Sequence, residues 1–538
     1  MSHAVTNQPP PLEGYDAFAD DPWLADAAAR LGLDEGARQR ASALGRYVAT
    51  PEAQADAAAA NRNPPVLRTH DRYGHRIDEV EYHPSYHALM ARALGAGVHS
   101  SAWKDEARGF ATHALLFYLW NELEQGTACP VTMTFASIPV MAHAPAVEAQ
   151  WKPRVLADAY DPRLVPVAQK SGATIGMAMT EKQGGSDLRA VASVATPEGD
   201  AWRLDGHKWF CSAPMSDGFF TLARAAEGVT CFFIPRVLPD GTRNAFRLQR
   251  LKDKCGNRSN ASSEVEFERT WASLVGEPGR GIATLIEMAH HTRFDIVVGV
   301  AGMMRAALNQ ALHHASHRSA FGRILVDHAL MANVLADMAL EVEAATLLAF
   351  RLAQAFDARA HDEAENELQR LVTPIAKYWL CRRMTPVAVE AMECLGGNGY
   401  VEEAPLARLY REAPLNGIWE GSPNVICLDA LRALRRSPAA FEALAAEIAR
   451  GRDPRADRLA AQAGTMLADP ATAETSARAV VERLALALQA SLMRRHAEGS
   501  AAEAFSRSRL EGFGGHSLGM LDAAFDAGAL ARRARLAT

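Results

Sequence analysis

Hydrophobic and polar positions change period along this chain, and the changes divide it into segments. The first hundred residues are broken by prolines (Pro9-Pro10-Pro11, Pro64-Pro65) and carry only short helical patterns. Asn63-Pro64-Pro65-Val66-Leu67 and Tyr82-His83-Pro84-Ser85-Tyr86 read as ordered loops, and residues 107–123 as an Ala/Leu-rich helix. From about 174 to 271 the pattern becomes β-rich, with pieces at 201–206, 219–223, 229–235 and 264–267. Asp205-Gly206 and Asp240-Gly241 read there as turn signals. Helical spacing returns at 281–434, in stretches (292–316, 328–356, 367–395) long enough for bundle helices. Arg435-Arg436-Ser437-Pro438 marks a boundary, with Ser437 as N-cap, Pro438 at the first helical position and Gly451 closing that helix. Asp453-Pro454 and Asp469-Pro470 punctuate the remainder of the chain.

Length and composition narrow the class. At 538 residues the chain has room for three or four domains at about 150 residues each. With 49% hydrophobic and 22% charged residues it reads as an ordinary globular protein. No apolar run nears the roughly 18 residues of a membrane span, and the start lacks a cationic region and apolar core. Seven scattered cysteines without a C-x-x-C pair predict reduced thiols in a cytoplasm, with neither a disulfide frame nor a zinc site. His313 and His317 have metal-compatible spacing but no accompanying glutamate, so no metal is expected. The net charge of −6 is uneven: fifteen arginines face twelve carboxylates from Arg435 onward, a mildly basic tail on an acidic body. No lysine follows Lys377.

Five segments carry candidate chemistry. Leu395-Gly396-Gly397-Asn398-Gly399-Tyr400 lets backbone approach a flat or phosphorylated ligand. Twenty residues on, Ile418-Trp419-Glu420-Gly421-Ser422 sets a carboxylate between an aromatic ring and a glycine. Poor hydration there makes a carboxylate a usable proton acceptor near neutral pH. Upstream, Met177-Ala178-Met179-Thr180-Glu181-Lys182-Gln183-Gly184-Gly185-Ser186-Asp187 offers amides and hydroxyls to a heterocycle or pyrophosphate. Gly206-His207-Lys208-Trp209-Phe210-Cys211-Ser212 adds aromatic rings and a hydroxyl. In His317-Arg318-Ser319-Ala320-Phe321-Gly322 a guanidinium is available to clamp a pyrophosphate. No G-x-G-x-x-G supports a Rossmann fold.

These motifs, in this order, resemble those of the acyl-CoA dehydrogenase superfamily: T-E-P-x-x-G-S-D at 180–187, G-x-K-x-W-I-T at 206–212, R-x-x-F-G at 318–322, L-G-G-x-G at 395–399 and Y-E-G-T at 419–422. The resemblance implies a mainly α fold with a central β domain. Its parts are N-terminal helices with an extension (1–173), a β-barrel-like domain (174–280), a C-terminal helix bundle (281–436) and an extra helical C-terminal domain (437–538). It implies FAD, lined by Met177, Met179, Thr180, Gly185, Ser186, Phe210, Cys211 and Ser212. Gly396, Gly397 and Asn424 fall on its adenosine and pyrophosphate side, and Ile418, Trp419, Gly421 and Ser422, beside the base, are also implied to bind the cofactor. Arg318 and Phe321 are implied to reach FAD from a neighbouring subunit. Glu420 falls on the family's catalytic base, which takes the substrate α-proton while the β-hydride goes to the flavin; Thr292, at the alternative position used by some relatives, cannot serve. Departures at Lys182, His290, Trp419 and Asn424 put ordinary CoA-thioester recognition in doubt.

Within the superfamily the chain is most similar to the DNA alkylation-response flavoproteins, from Asn63-Pro64-Pro65 and His83-Pro84 through 251–262 to 412–424. That likeness implies a homotetramer with weak dehydrogenase activity on a short branched acyl-CoA. It also implies binding of double-stranded DNA without sequence preference. In the tail, a helix over 474–495 sets Val480, Val481, Leu484, Leu488 and Leu492 in one stripe, with Arg483 and Arg494 on another face ~16 Å apart. Arg432, Arg495, Arg507, Arg509, Arg532 and Arg533, some beside a glycine-rich loop at 512–519, complete the candidate phosphate contacts. The residues alone support nothing beyond nonspecific contact, since no recognition module is legible. The competing expectation is a metabolic acyl-CoA dehydrogenase whose C-terminal domain is only structural.

Overall fold

Val66–His70 (β1) and Arg76–Glu81 (β2) pair antiparallel in the computed structural model, which describes residues 3–104, 107–468, 471–512 and 516–537. The expectation of a loop at Val66-Leu67 is therefore corrected. The hairpin lacks an apolar stripe because β1 buries no face, so period-2 hydrophobicity could not reveal it. Asp71 closes its turn by accepting from the amides of Tyr73 and His75. The second loop expected, at 82–86, instead opens the helix Pro84–Gly95: His83 caps it through Nδ1, with Pro84 at the start.

The β-rich segment forms Ile175–Ala178 (β3), Val194–Glu198 (β4), Ala201–Ser212 (β5), Gly218–Ala225 (β6), Gly228–Pro235 (β7), Phe246–Leu251 (β8) and Ser262–Val275 (β9). The order β3-β6-β4-β5-β9-β7, with β7 also pairing β6, curls the sheet back on itself like a barrel, and β8 adds to β9. Phe219, Phe220, Phe232, Phe233 and Phe246 fill its core. Asp205-Gly206 is not a turn but a bulge inside β5. Gly206 sits at φ +149°, where an added Cβ would stand 2.4 Å from the Ser193 hydroxyl, and Asp205 accepts from the Arg269 amide across the ladder.

By its contacts the chain divides into two units. One contains Glu52–Asp105 and Glu124–Thr292, and so this sheet; the other contains Met1–Pro51, Glu106–Leu123 and Arg293–Thr538. Long helices dominate the second unit: the part of Gly281–His317 from Arg293 onward, then Ala329–Ala358 and Glu363–Leu395. Ser319–Ala320 (β10) and Arg323–Ile324 (β11) make a small hairpin between the first two. Asp362 caps the third helix through its carboxylate, and Gly396 at φ +60° ends it.

Residues 437–537 pack as further helices on this bundle: Pro438–Ala449, Pro454–Ala468, Ala477–His496, Gly499–Leu510 and Ala527–Arg532. Asp469-Pro470, and residues 513–515 of the expected glycine-rich loop, lie outside the described residues. Arginines fasten these helices down. Arg351 spans Glu365 and Glu447 at 2.7 and 2.8 Å. Arg305, wholly buried, joins Asp21 at 2.6 Å and the Ala534 carbonyl at 2.8 Å. Trp379 donates its indole N–H to Gln489 at 2.8 Å. No described helix is long and apolar enough to cross a membrane.

Candidate active site

The turn around Glu420 is built from the bundle unit alone. A short 3-10 stretch, Ala413–Gly417, leads into it, and the helix Pro423–Arg436 leads out with Pro423 in its first turn. Glu420 and Gly421 take φ of +55° and +113°. A side-chain-bearing residue there costs ~1 kcal/mol or more unless its surroundings enforce the conformation. Here they do. Arg293 donates from Nε to the Glu420 carbonyl at 2.8 Å and is itself held by Asp429 at 2.6 Å. Lys377 donates to the carbonyls of Trp419 at 2.9 Å and Gly421 at 2.6 Å. Gly421 is obligatory, since a Cβ would stand 2.8 Å from the Ile426 side chain.

Glu420 itself is half-buried in the single chain, and Ile418 is 64% exposed. The Trp419 indole N–H is enclosed and has no hydrogen-bond partner among the described residues. Ser422 and Asn424 follow at the start of the next helix, where Arg478 donates to the Asn424 side chain at 2.9 Å. In the glycine run, Gly396 and Gly397 leave open space where a Cβ would be, whereas Gly399 packs against the Met392 backbone. The first two present bare backbone, and the third is a packing requirement.

In the sheet unit, two sequence-predicted segments are stitched together. The Trp209 amide donates to the Thr180 carbonyl at 2.8 Å, and the Lys182 amide donates to His207 Nε2 at 2.9 Å. Met179 and Thr180 are half-buried, Ser186 is exposed, and Gly185 crowds the Thr180 side chain so closely that a Cβ would sit 2.3 Å from its hydroxyl. Beneath the loop Glu181 and Lys208 form a buried ion pair at 2.7 Å. Burial works against the charged Glu181 carboxylate, but the Lys208 ammonium, the Ser193 hydroxyl and the Ala192 amide outweigh it and hold it at about 2. Glu181 is thus a fixed strut for the loop. On β5 the Phe210 ring is 50% exposed, Ser212 is half-buried and Cys211 points fully inward. Burial pushes the Cys211 thiol up to about 12. Cys211 and the buried Met177 therefore have mainly backbone to offer a ligand.

Arg318 and Phe321 lie on the β10–β11 hairpin. Arg318 donates to the Asn7 carbonyl at 2.7 Å, while Phe321, at φ +49° on the tip, is 98% exposed.

The candidate phosphate contacts divide sharply. Arg509 pairs with Asp337 and Glu341, Arg533 with Glu343 and Glu498, Arg495 with Glu447 and Arg507 with Asp522. Arg483 is half-buried and donates to the Ala479 carbonyl. Arg494 stands 3.7 Å from Glu503, Arg432 pairs with Asp429 on its own helix, and Arg532 is exposed. Sequence reasoning overlooked Arg293 and Lys377. A lone lysine inside the apolar run Leu371-Val372-Thr373-Pro374-Ile375-Ala376-Lys377-Tyr378-Trp379-Leu380 was the available signal.

Comparison with known proteins bears on the whole chain. Family models described as the adaptive response protein AidB N-terminal domain, the acyl-CoA dehydrogenase middle domain and the acyl-CoA dehydrogenase C-terminal domain match residues 7–162, 176–270 and 279–435. The chain is 43% identical over 521 residues to the putative acyl-CoA dehydrogenase AidB of Escherichia coli, covering 96% of each. It is 29% identical over 439 residues to acyl-CoA dehydrogenase family member 11 of Caenorhabditis elegans, covering 78% of this chain and 70% of that one. Among solved structures, ACDH-11 of Caenorhabditis elegans in complex with C11-CoA superposes with a TM-score of 0.84 at 25% identity, covering 95% of this chain and 94% of that one. The apo-form of Bd2924 gives 0.84 at 26% identity, covering 92% of this chain and 100% of that one.

Proposed function

The chain belongs to the acyl-CoA dehydrogenase family, whose cofactor is FAD, and from that premise we propose that Glu420 is the proton acceptor for dehydrogenation of a short branched acyl-CoA. The observation that carries this reading is the anchored turn: three successive carbonyls, 419 to 421, are gripped by two buried cations. The backbone of Glu420 is held there at a φ of +55° that would otherwise be unfavourable.

The residues present fit FAD. In the sheet unit the exposed Phe210 ring and the Ser186 and Ser212 hydroxyls suit a flat heterocycle, and in the bundle unit the bare backbone at Gly396 and Gly397 suits a phosphorylated group. The enclosed Trp419 N–H is a donor still lacking an acceptor. In the sheet unit Met179, Thr180, Gly185, Ser186, Phe210 and Ser212 would hold the cofactor; the bundle unit, taken by itself, offers Gly396, Gly397, Ile418, Ser422 and Asn424. When bound, FAD supplies the acceptor for the hydride that leaves the substrate β-carbon. Glu420 takes the α-proton, so the thioester loses one proton and one hydride and gains a C–C double bond between the two carbons. Removing the proton acceptor of such a step lowers its rate by ~10²–10⁴. The test is anaerobic mixing of the FAD-loaded protein with isovaleryl-CoA: the flavin bleaches in wild type and not in Glu420→Gln with FAD retained. Bleaching of that variant at the wild-type rate would overturn the assignment.

A second reading is favoured by a separate observation. Arg435, Arg436, Arg452 and Arg458 are exposed and have no carboxylate partner among the described residues, unlike Arg495, Arg507, Arg509 and Arg533. We propose that these arginines, with Arg432, Arg494 and Arg532, contact double-stranded DNA without sequence preference, and that the protein serves the adaptive response to DNA alkylation. The matched description of an adaptive response protein supports the second half of that statement. Each phosphate contact steepens the dependence of log affinity on log salt by about 0.9. Binding that ignores ionic strength, or survives Arg435→Glu/Arg436→Glu undiminished, leaves the tail a purely structural addition to a metabolic dehydrogenase. A homotetramer is proposed as the resemblance implies it, with the exposed Phe321 tip as a candidate contact to a neighbouring copy.

A further inference from the structure

Lys377 is the last lysine of the chain and stands within the apolar run of the helix Glu363–Leu395. It is 1% exposed. Placing an ammonium there without compensation costs several kcal/mol, and an apolar residue of similar length would fill the space without that cost. Its contacts show where the compensation comes from. The ammonium donates to the carbonyls immediately before and after Glu420, at 2.9 and 2.6 Å. The titratable groups that face it are Cys381 on its own helix, Arg293 from the long helix, and Glu420. Burial pushes the Cys381 thiol up to about 11, so it is neutral at physiological pH. Arg293 is positive and occupied by Asp429. Among the described residues that face it, Glu420 is therefore the group that answers the ammonium with negative charge.

We propose that Lys377 is the positioning residue for the proton acceptor: it holds the Trp419 and Gly421 carbonyls on either side of Glu420 and keeps a positive charge near its carboxylate. Its hydrogen bonds go to backbone carbonyls of the turn, and it acts through them. The inference rests on the reading of Glu420 as the base.

The experiment replaces Lys377 by methionine, which keeps length and removes both the donors and the charge, and by glutamine, which keeps donors without charge. The FAD-loaded variants are compared with wild type and Glu420→Gln by stopped-flow bleaching with isovaleryl-CoA across pH, and by amide hydrogen exchange of residues 415–424. With FAD retained, Lys377→Met slows bleaching at saturating thioester ~10–100-fold, as misplacement of a reacting group does, while half-saturation barely moves. The acid limb of its pH–rate profile moves to higher pH, because the lost cation no longer favours the carboxylate form. Exchange across the turn accelerates. Lys377→Gln recovers part of the exchange protection but keeps the displaced limb, and it decides the matter if Lys377→Met cannot be folded. Wild-type bleaching with an unmoved acid limb, in a background where Glu420→Gln is inactive, overturns the proposal. Were Glu420→Gln itself to bleach normally, the base assignment would fall; unchanged exchange in Lys377→Met would then remove the anchoring role as well.

Discussion

Replacing Arg509 by methionine takes one cation out of a buried cluster and leaves two carboxylates behind. Its guanidinium lies 2.5 Å from Asp337 and 2.7 Å from Glu341, and Arg383 holds the other side of Glu341 at 3.0 Å. Burial works against a charged Glu341, yet Arg383 and Arg509 outweigh it and hold its carboxyl at about 2. Breaking a buried pair by removing one partner costs ~3–5 kcal/mol. Arg383 remains, and Asp337 keeps the amides of Gly519 and Met520, so the lower end, about 3 kcal/mol, is expected. That is roughly two powers of ten in the folding equilibrium. Urea unfolding followed by tryptophan fluorescence measures it. Adding Asp337→Asn should restore at least ~1 kcal/mol, because the buried carboxylate left without its cation is then neutral. Duplex DNA affinity, corrected for the folded fraction, should not change. A stability loss below ~1 kcal/mol, or weaker DNA binding at full stability, would refute the assignment of Arg509 to the fold and return it to the phosphate contacts.

Other outcomes follow from the same structure. Phe321→Asp should shift the protein toward monomers in light scattering while leaving its secondary structure intact; an unchanged mass excludes that hairpin from any interface. Acid should destabilise the fold in a defined window. Glu181, Glu341 and Glu447 each sit at about 2 rather than 4.5, so their stabilisation is complete above pH 4.5 and is lost as pH falls toward 2. Unfolding followed between pH 6 and 2 checks this, and a flat profile would contradict it. Gly421→Ala should abolish activity through its collision with Ile426 and the strain at φ +113°; normal bleaching kinetics would show that the turn is not enforced. Lys208→Met should loosen the 180–187 loop by leaving Glu181 buried without its cation, seen as faster flavin loss on dilution, and unaltered retention would argue against a strut.

How far the sequence could be read depended on how far apart in the chain the cause of each feature lies. The long bundle helices were legible because i, i+3 and i+4 apolar spacing is local. The hairpin Val66–Glu81 was not, since neither strand needs an apolar stripe when its pairing is anchored elsewhere: Asp78 accepts from the Leu248 amide and Arg76 donates to the Leu248 carbonyl. Asp205-Gly206 looked like a turn, because the same two residue types suit a bulge, and the partner strand decides between them.

The sequence by itself determined the succession of helical, alternating and helical segments, and the positions of Glu420 and the glycine-rich stretches. Those properties reside in neighbouring residues. Only tertiary structure decided what the charges do. Lys377 and Arg293 lie dozens of residues or more from the turn they hold, and the arginines that looked like one basic tail separate into buried anchors and exposed cations according to which carboxylates fold against them. A side chain's charge is written in its code, but its partner and its hydration are set by elements that meet only when the chain is folded.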